Sequence, residues 1–393
     1  MSSTTQRHPA GRVFGAPLVI WAHSFCRSTL ATYLEVRRQY PGEVRIVVCG
    51  RPDPELRAKA GFRTSEFDLS DFEAFNPSPT KACEMLKAWP GAIHMFCAYH
   101  GSPIFETLLE TAIELGLSYF VAAEAPQNME QNPARRVMKA AYIPTLLRYK
   151  VRHYIAGSRF LLCYSGTAMD RLAQVGWPED KVEPFGYYPP SIMSAVPELT
   201  QNALAPAKTG LDDGRVRFLL TGVHDMHKSP RTLVEAASLL VMEGLGARFH
   251  CTIAGAGRQT DTMKAHAAAG GLPVTFAGFV PLVALVNLHR NADVFVGTGL
   301  SEPWGIRIND AMHLGCPAIV SDGMGAVALV KDSGAGWIYR AGSSRDLAAK
   351  MKALIEKPAD INAARQALAN SLAFNPATKA SELVSILARR FVP

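Results

Sequence analysis

Short runs of apolar, often β-branched residues alternate with stretches of helical period along most of the chain. No other feature restricts the fold as much. In the first half, strands are predicted at 18–22 (LVIWA), 44–49 (VRIVVC), 93–98 (IHMFCA), 118–122 (SYFVA) and 160–164 (FLLCY). Helical patterns lie between them, as at 103–115, where Phe105, Leu108, Leu109 and Ala112 recur at helical spacing. Strands separated by helical crossovers must run parallel, so the pattern predicts a doubly wound α/β domain. The alternation stops at 200–214 (TQNALAPAKTGLDDG), a polar, small-residue stretch that reads as a linker. It restarts with strands at 216–222, 249–255, 274–279, 293–297 and 317–321 and a helix at about 230–243. The chain therefore divides into an amino-terminal domain (1–205), a linker (206–214), a second α/β domain (215–375) and a final helix (376–393). Asn375 is placed as N-cap of that helix and Pro376 at its first position, and Leu383, Ile386 and Leu387 give it an apolar stripe.

Composition removes several classes. With 393 residues, 48% of them apolar and 19% charged, the chain is neither disordered nor fibrous. Seven cysteines, an odd number with no C-x-x-C pair and mostly in apolar strings, suit reduced buried thiols. No signal peptide is legible, and no run approaches the roughly 20 apolar residues of a membrane span. A cytoplasmic protein is expected.

The net charge of +7 is uneven. Arg135, Arg136, Lys139, Arg148, Lys150, Arg152 and Arg159 fall in a segment without Asp or Glu. A solvated helix face is one reading. A surface attracted to anionic lipid, peripheral on the inner face of a membrane, is the other. No nucleic-acid module accompanies the charge, so nucleic acid is not expected as a partner.

The densest chemistry lies at 301–321, SEPWGIRINDAMHLGCPAIVS. Glu302 falls on an entry loop and Asp310 just over one turn into the following helix, so both carboxylates can face a crevice at a strand's carboxyl end. The helix mouth offers N–H groups and a positive dipole end, suited to phosphate or sugar hydroxyls. Lys228, in the strand-to-helix turn of 219–235, can hold a phosphate as a point charge.

Together Gly222 and Lys228, Gly255-Ala-Gly257, FAGFVP (276–281) and SEPWGIRINDAM (301–312) resemble the carboxyl-terminal half of family 4 retaining glycosyltransferases. The resemblance covers about 215–375. It implies a GT-B fold: two Rossmann-like domains facing across a cleft, with the last helix packing back on the amino-terminal, acceptor-binding domain. It implies transfer of a sugar from a nucleotide-diphosphate donor to a glycan or lipid-linked acceptor hydroxyl, without cofactor or metal, in polysaccharide, lipopolysaccharide or glycolipid synthesis. By the same resemblance, Glu302 matches the acid that holds sugar hydroxyls, Asp310 the ribose-binding acid and Lys228 the diphosphate lysine. Gly222, Trp304, Gly305, Ile306 and Arg307 match the donor-binding loops. Arg258 and Val280 match the base-binding rim, and His100 the amino-domain histidine near the transferred sugar.

Three departures stand out. Val223 replaces the usual Arg after Gly222, leaving Arg307 or Arg231 to supply the missing cation. Asp310 replaces the usual Glu. The loop 21–30 lacks glycines, which makes His23, Ser24 and Arg27 candidates for a different part in the site. A non-catalytic GT-B protein that binds a glycan or a partner glycosyltransferase is the alternative these departures favour.

Other local readings are weaker. GAGRQT (255–260) is an incomplete dinucleotide fingerprint. No D-x-D occurs, so a metal-held donor is not expected, and His224 with His227 lacks a third ligand. EAPQN (124–128) reads as a helix-entry loop, with acceptor binding as its other reading.

Overall fold

The computed structural model describes residues 15–24, 26–50, 68–127, 130, 132–166, 168–195, 214–370 and 375–391. The predicted linker lies outside these residues except for Gly214.

Two all-parallel sheets form the frame. The first contains β1 (Leu18–Ala22), β2 (Val44–Val48), β3 (Ala74–Phe75), β4 (Ile93–Phe96), β5 (Ser118–Ala123), β6 (Leu161–Cys163) and β7 (Val182–Pro184), in the order 3-2-1-4-5-6-7. The second contains β8 (Val216–Thr221), β9 (Phe249–Ala254), β10 (Val274–Gly278), β11 (Val294–Gly297), β12 (Ala318–Ser321) and β13 (Gly336–Tyr339), in the order 10-9-8-11-12-13. The predicted strands all form, with ends that differ by at most two residues. β3, β7 and β13 went unpredicted. β3 and β7 are only two and three residues long, and β3, β7 and β13 each pair on one side alone, so neighbours decide them more than local propensity does.

Helices cover both faces of each sheet, and the central strands are buried on both sides, as continuous apolar runs dictate, whereas the edge strand β10 leaves Thr275 and Ala277 exposed. The final helix, Pro376–Phe391, starts where the sequence placed it. Asn375 Oδ1 accepts from the Thr378 N–H at 2.9 Å. Its buried Leu383, Ile386, Leu387 and Phe391 join the first domain's core with Ile20, Tyr33 and Phe120, so the helix returns to the amino-terminal domain.

The basic segment forms helix Pro133–Tyr142, a π turn at Ile143–Leu147 and helix Arg148–Gly157. Pro144 lacks the N–H that an α-helical ladder needs there, which explains the wide turn.

Candidate functional site

In the first sheet the strand order reverses between β1 and β4, and in the second between β8 and β11. Ligands of open parallel sheets bind beyond the carboxyl ends of strands at such points. The loops after these four strands, with the segment after β5, line one cleft of about 790 Å³ between the domains.

From the second domain come the loops after β8 and β11, and backbone contacts lock them together. The Leu300 N–H donates to the His227 carbonyl at 2.8 Å, and the Thr298 hydroxyl donates to the Lys228 carbonyl at 2.7 Å. The Glu302 N–H donates to the Gly323 carbonyl at 3.0 Å, and the Gly325 N–H to the Glu302 carbonyl at 3.2 Å. So anchored, the Lys228 ammonium pairs with the Glu302 carboxylate inside the cleft.

Beside this pair, helix Ile306–His313 opens onto the cleft, with Ile306 and Arg307 among the lining residues. It is capped by Gly305 at φ +103°, a left-handed conformation that favours glycine, and a Cβ there would lie 2.4 Å from Met324 Cε. Behind it, the buried Trp304 indole donates to Asn309 Oδ1 at 2.8 Å, and the Asn309 amide donates to the Tyr187 carbonyl at 2.9 Å. Gly186 sits flat against the same indole, where any side chain would collide with the ring. This packing joins the chain leaving the first domain to the floor of the second domain's site. The domains also meet at the cleft edge, where Arg171 Nη1 donates to Ser301 Oγ at 3.0 Å.

Arg307 Nη1 lies 2.9 Å from Asp310 Oδ2. The sequence reading set both Glu302 and Asp310 on the crevice, but Asp310 is 6% exposed and is not among the cleft-lining residues. Three positions further along the helix, it packs beneath Arg307. Burial raises its carboxyl above the ordinary value, and the Arg307 guanidinium opposes that rise. Of the two candidates for the missing cation, Arg307 lines the cleft. Arg231 instead pairs with Glu235 one turn on, at 2.7 Å on an exposed helix face, and does not line it.

Gly222 and Val223 line the cleft, but Arg258 and Val280 do not. They follow β9 and β10, further along the same edge of the sheet. Gly255 serves close packing: its φ is +125°, and a Cβ would fall 1.8 Å from the Gly222 carbonyl oxygen. His224 is buried, with Nδ1 2.8 Å from the Thr260 hydroxyl, and among the described residues no three His, Cys, Asp or Glu side chains gather as a cation cage.

The first domain contributes His23 and Ser24 after β1, His100 after β4, and Glu124 to Gln127 after β5. Arg27 turns away to donate to the Ser191 carbonyl at 2.7 Å. His100 is half-buried, and burial lowers its pKa first, with Glu106 opposing and Lys139 and Lys150 reinforcing. Glu106 accepts from Lys150 Nζ at 2.9 Å and from the Gly101 N–H at 3.2 Å, tying the basic helix to the His100 loop.

Glu124 is the residue the sequence reading undervalued. The segment is a cleft wall, not merely a helix entry. Glu124 Oε1 accepts from the Tyr187 hydroxyl at 2.9 Å. Its carboxyl is raised by desolvation first and then by the Glu302 carboxylate, while Tyr187, Lys228 and Arg171 oppose. Its sequence signal was a lone acid directly after an apolar strand, on the edge where parallel sheets bind ligands.

Comparison with known proteins agrees with this fold. Residues 202–371 match the family model of glycosyl transferases group 1. The D-inositol 3-phosphate glycosyltransferase of Arthrobacter sp. is 28% identical over 157 residues, 39% of this chain and 37% of that protein. Its namesake from Nocardia farcinica is 30% identical over 160 residues, 39% of this chain and 36% of that protein. The chain thus spans little more than a third of these curated relatives. Among solved structures, Anabaena HepE in complex with UDP superposes with a TM-score of 0.66 at 15% identity, covering 95% of this chain and 100% of that one. The apo lipopolysaccharide outer core galactosyltransferase WaaB gives 0.64 at 14% identity, covering 95% and 98%. The fold is GT-B, and the sequence matches support a glycosyltransferase.

Proposed function

We propose that the protein is a retaining, metal-independent glycosyltransferase of the family 4 type. It moves a hexosyl group from a nucleotide-diphosphate sugar to an acceptor hydroxyl in polysaccharide, lipopolysaccharide or glycolipid synthesis. The observation that carries this reading is the meeting of Lys228 and Glu302 at the mouth of helix Ile306–His313, in the cleft between two Rossmann-like domains.

The chemistry follows from charge. A diphosphate leaving group develops negative charge as its bond to the sugar breaks, and preorganised cations and dipoles stabilise that charge most where water is excluded. The Lys228 ammonium, the Arg307 guanidinium and the helix mouth are the groups suited to this task. Glu302 accepts hydrogen bonds from sugar hydroxyls, which are stronger for being charge-assisted. Asp310, through Arg307, orients the nucleotide. Contact between Arg171 and Ser301 and packing of Tyr187 on Trp304 favour a closed cleft that excludes water.

The acceptor is proposed to arrive at a membrane surface. Among the described residues no helix is long and apolar enough to cross a membrane. The basic helices nevertheless expose Val137, Met138, Leu146 and Tyr149 by 66–71%, among Arg135, Arg136, Lys139, Arg148, Lys150 and Arg152. Apolar residues set among cations suit an anionic lipid surface better than plain solvent. Lys139 and Lys150 act electrostatically on His100, so this face adjoins the cleft mouth.

Val223 in place of the usual Arg, with Asp310 in place of Glu, favours a second reading: a GT-B protein that binds without catalysis. Incubation with a panel of nucleotide sugars separates the two. An enzyme is stabilised by its donor and releases nucleoside diphosphate; a chain that shows neither refutes both the activity and the donor site. NMR of the product tests retention, and an inverted linkage would remove it.

A further inference from the structure

We propose that Arg171 and Gln127 of the first domain are positioning residues for Glu302, acting through Ser301. The assignment rests on the proposed glycosyl transfer and names residues that the family resemblance does not.

The loop that carries Glu302 is held from within its own domain at Thr298, at Leu300 and at Glu302 itself, through Lys228, His227, Gly323 and Gly325. Ser301 is held differently. Among the described residues, its hydroxyl and its carbonyl are both met from the first domain. Arg171 Nη1 donates to Ser301 Oγ at 3.0 Å. The Gln127 amide, in the orientation that satisfies both its neighbours, donates to the Ser301 carbonyl at 3.0 Å and accepts from Arg171 Nη1 at 3.1 Å. The three residues close a ring across the domain boundary.

The first domain braces this ring. Arg171 lies in the first turn of helix Met169–Val175, and Gln127 belongs to the cleft wall after β5. Ser165 Oγ accepts from the Ala125 N–H at 2.8 Å, fastening that wall to the turn after β6. The same turn presses on the other side of the Glu302 loop: a Cβ at Gly166 would lie 2.6 Å from the Gly325 carbonyl oxygen. Gly325 is the residue whose N–H donates to the Glu302 carbonyl. The first domain therefore grips the residue before Glu302 directly, and the partner of its carbonyl by backbone contact.

Lys228, Arg307 and the helix mouth all belong to the second domain, so the diphosphate can bind there before the domains meet. The backbone that aims Glu302 is complete only with the first domain in place. Orientation of the sugar then depends on the clasp, and a displacement of about 1 Å in such a group costs about 10²-fold in rate.

The test measures nucleoside diphosphate release from UDP-glucose, UDP-galactose, UDP-N-acetylglucosamine and GDP-mannose, into water and into octyl β-glucoside. Tm and affinity for the released nucleotide are measured on each variant. Arg171→Met is expected to lower kcat about 10²-fold with nucleotide affinity and Tm unchanged. Gln127→Ala should show the same pattern more weakly. Arg171→Lys, which keeps a donor, should recover part of the rate. Ser301→Ala removes the shared partner, so adding Arg171→Met to it should cost little more than Arg171→Met alone. Release by Arg171→Met within twofold of wild type overturns the assignment and leaves the transferase reading standing. So does a fall in Tm or in nucleotide affinity that matches the loss of rate, which a merely structural contact would give. A wild type that binds nucleotide but releases none from any donor overturns the assignment, because there is no turnover for the clasp to set. A wild type that neither binds nor reacts refutes the transferase reading itself, and this assignment with it.

Discussion

The Lys228 ammonium and the Glu302 carboxylate, 74 positions apart in the chain, form an ion pair between two strand-end loops of the second domain. The Glu302 side chain is 13% exposed and that of Lys228 34%, so the pair opens to the cleft chiefly through the ammonium. Each charge positions the other, so the lysine is aimed before any phosphate arrives.

Breaking that pair should therefore separate binding from turnover. Lys228→Met is expected to abolish stabilisation by UDP and lower nucleotide release at least a hundredfold. Glu302→Gln should lower release by about 10²- to 10³-fold with a smaller change in UDP affinity. Calorimetric titration with UDP, alongside release assays, checks both. Equal loss of UDP binding in the two variants would contradict the division of labour.

Arg307 lines the cleft and covers Asp310 at 2.9 Å. Arg307→Ala should weaken nucleotide binding tenfold or more. It should also raise the Asp310 carboxyl further, since burial already pushes it up and the guanidinium is what opposes the rise. Titration with UDP over a pH series reads both effects; an unchanged affinity refutes the part given to Arg307.

Gly305 holds the left-handed cap of the helix that opens onto the cleft. Gly305→Ala adds a Cβ at a left-handed position, costing about 1–2 kcal/mol before its collision with Met324 is counted. A lower Tm and loss of donor binding should appear together, because the strain falls on the cap that aims the helix mouth. Retained binding in a destabilised variant would mean that the helix mouth contributes little.

Vesicle co-sedimentation tests the basic face. Binding should be strong to phosphatidylglycerol-rich vesicles, weak to phosphatidylcholine, and should fall with salt. Leu146→Asp and Tyr149→Ser, at exposed positions, should reduce it with little effect on Tm. Equal binding to both lipids would leave only a solvated helix face.

Two buried histidines are expected to weaken stability in acid. His94 accepts from the Trp21 indole at 3.3 Å, and burial lowers its pKa from 6.5 to about 4. His289, stacked on Phe295 with neither ring nitrogen bonded to a described residue, falls to about 3. The folded state disfavours the proton that the unfolded state accepts. Their contribution is complete above about pH 6.5 and is lost as pH falls through 4 and then 3. Denaturation midpoints should drop over that range, and His289→Phe should flatten the drop.

Much of the candidate site was legible in the sequence because its residues lie on loops that follow strongly patterned strands. Once β8 and β11 are recognised, Lys228 and Glu302 must lie at their carboxyl ends, and parallel pairing makes those ends neighbours. Asp310 was misjudged because spacing gives a residue's place on a helix, not the depth at which the helix packs. Glu124 was undervalued because its place in the cleft wall comes with Tyr187, remote in the chain.

Local pattern alone determined the two parallel-sheet domains, the capped final helix and the cysteines' place in apolar runs, since hydrophobic period and capping chemistry act over a few residues. The tertiary structure decided which charges share an environment. Arg307 rather than Arg231 reaches the cleft, Asp310 lies beneath it, and Glu124 lines the cleft that holds the Lys228–Glu302 pair, because domain closure and burial, which set those distances and their dielectric, are properties of the packed whole.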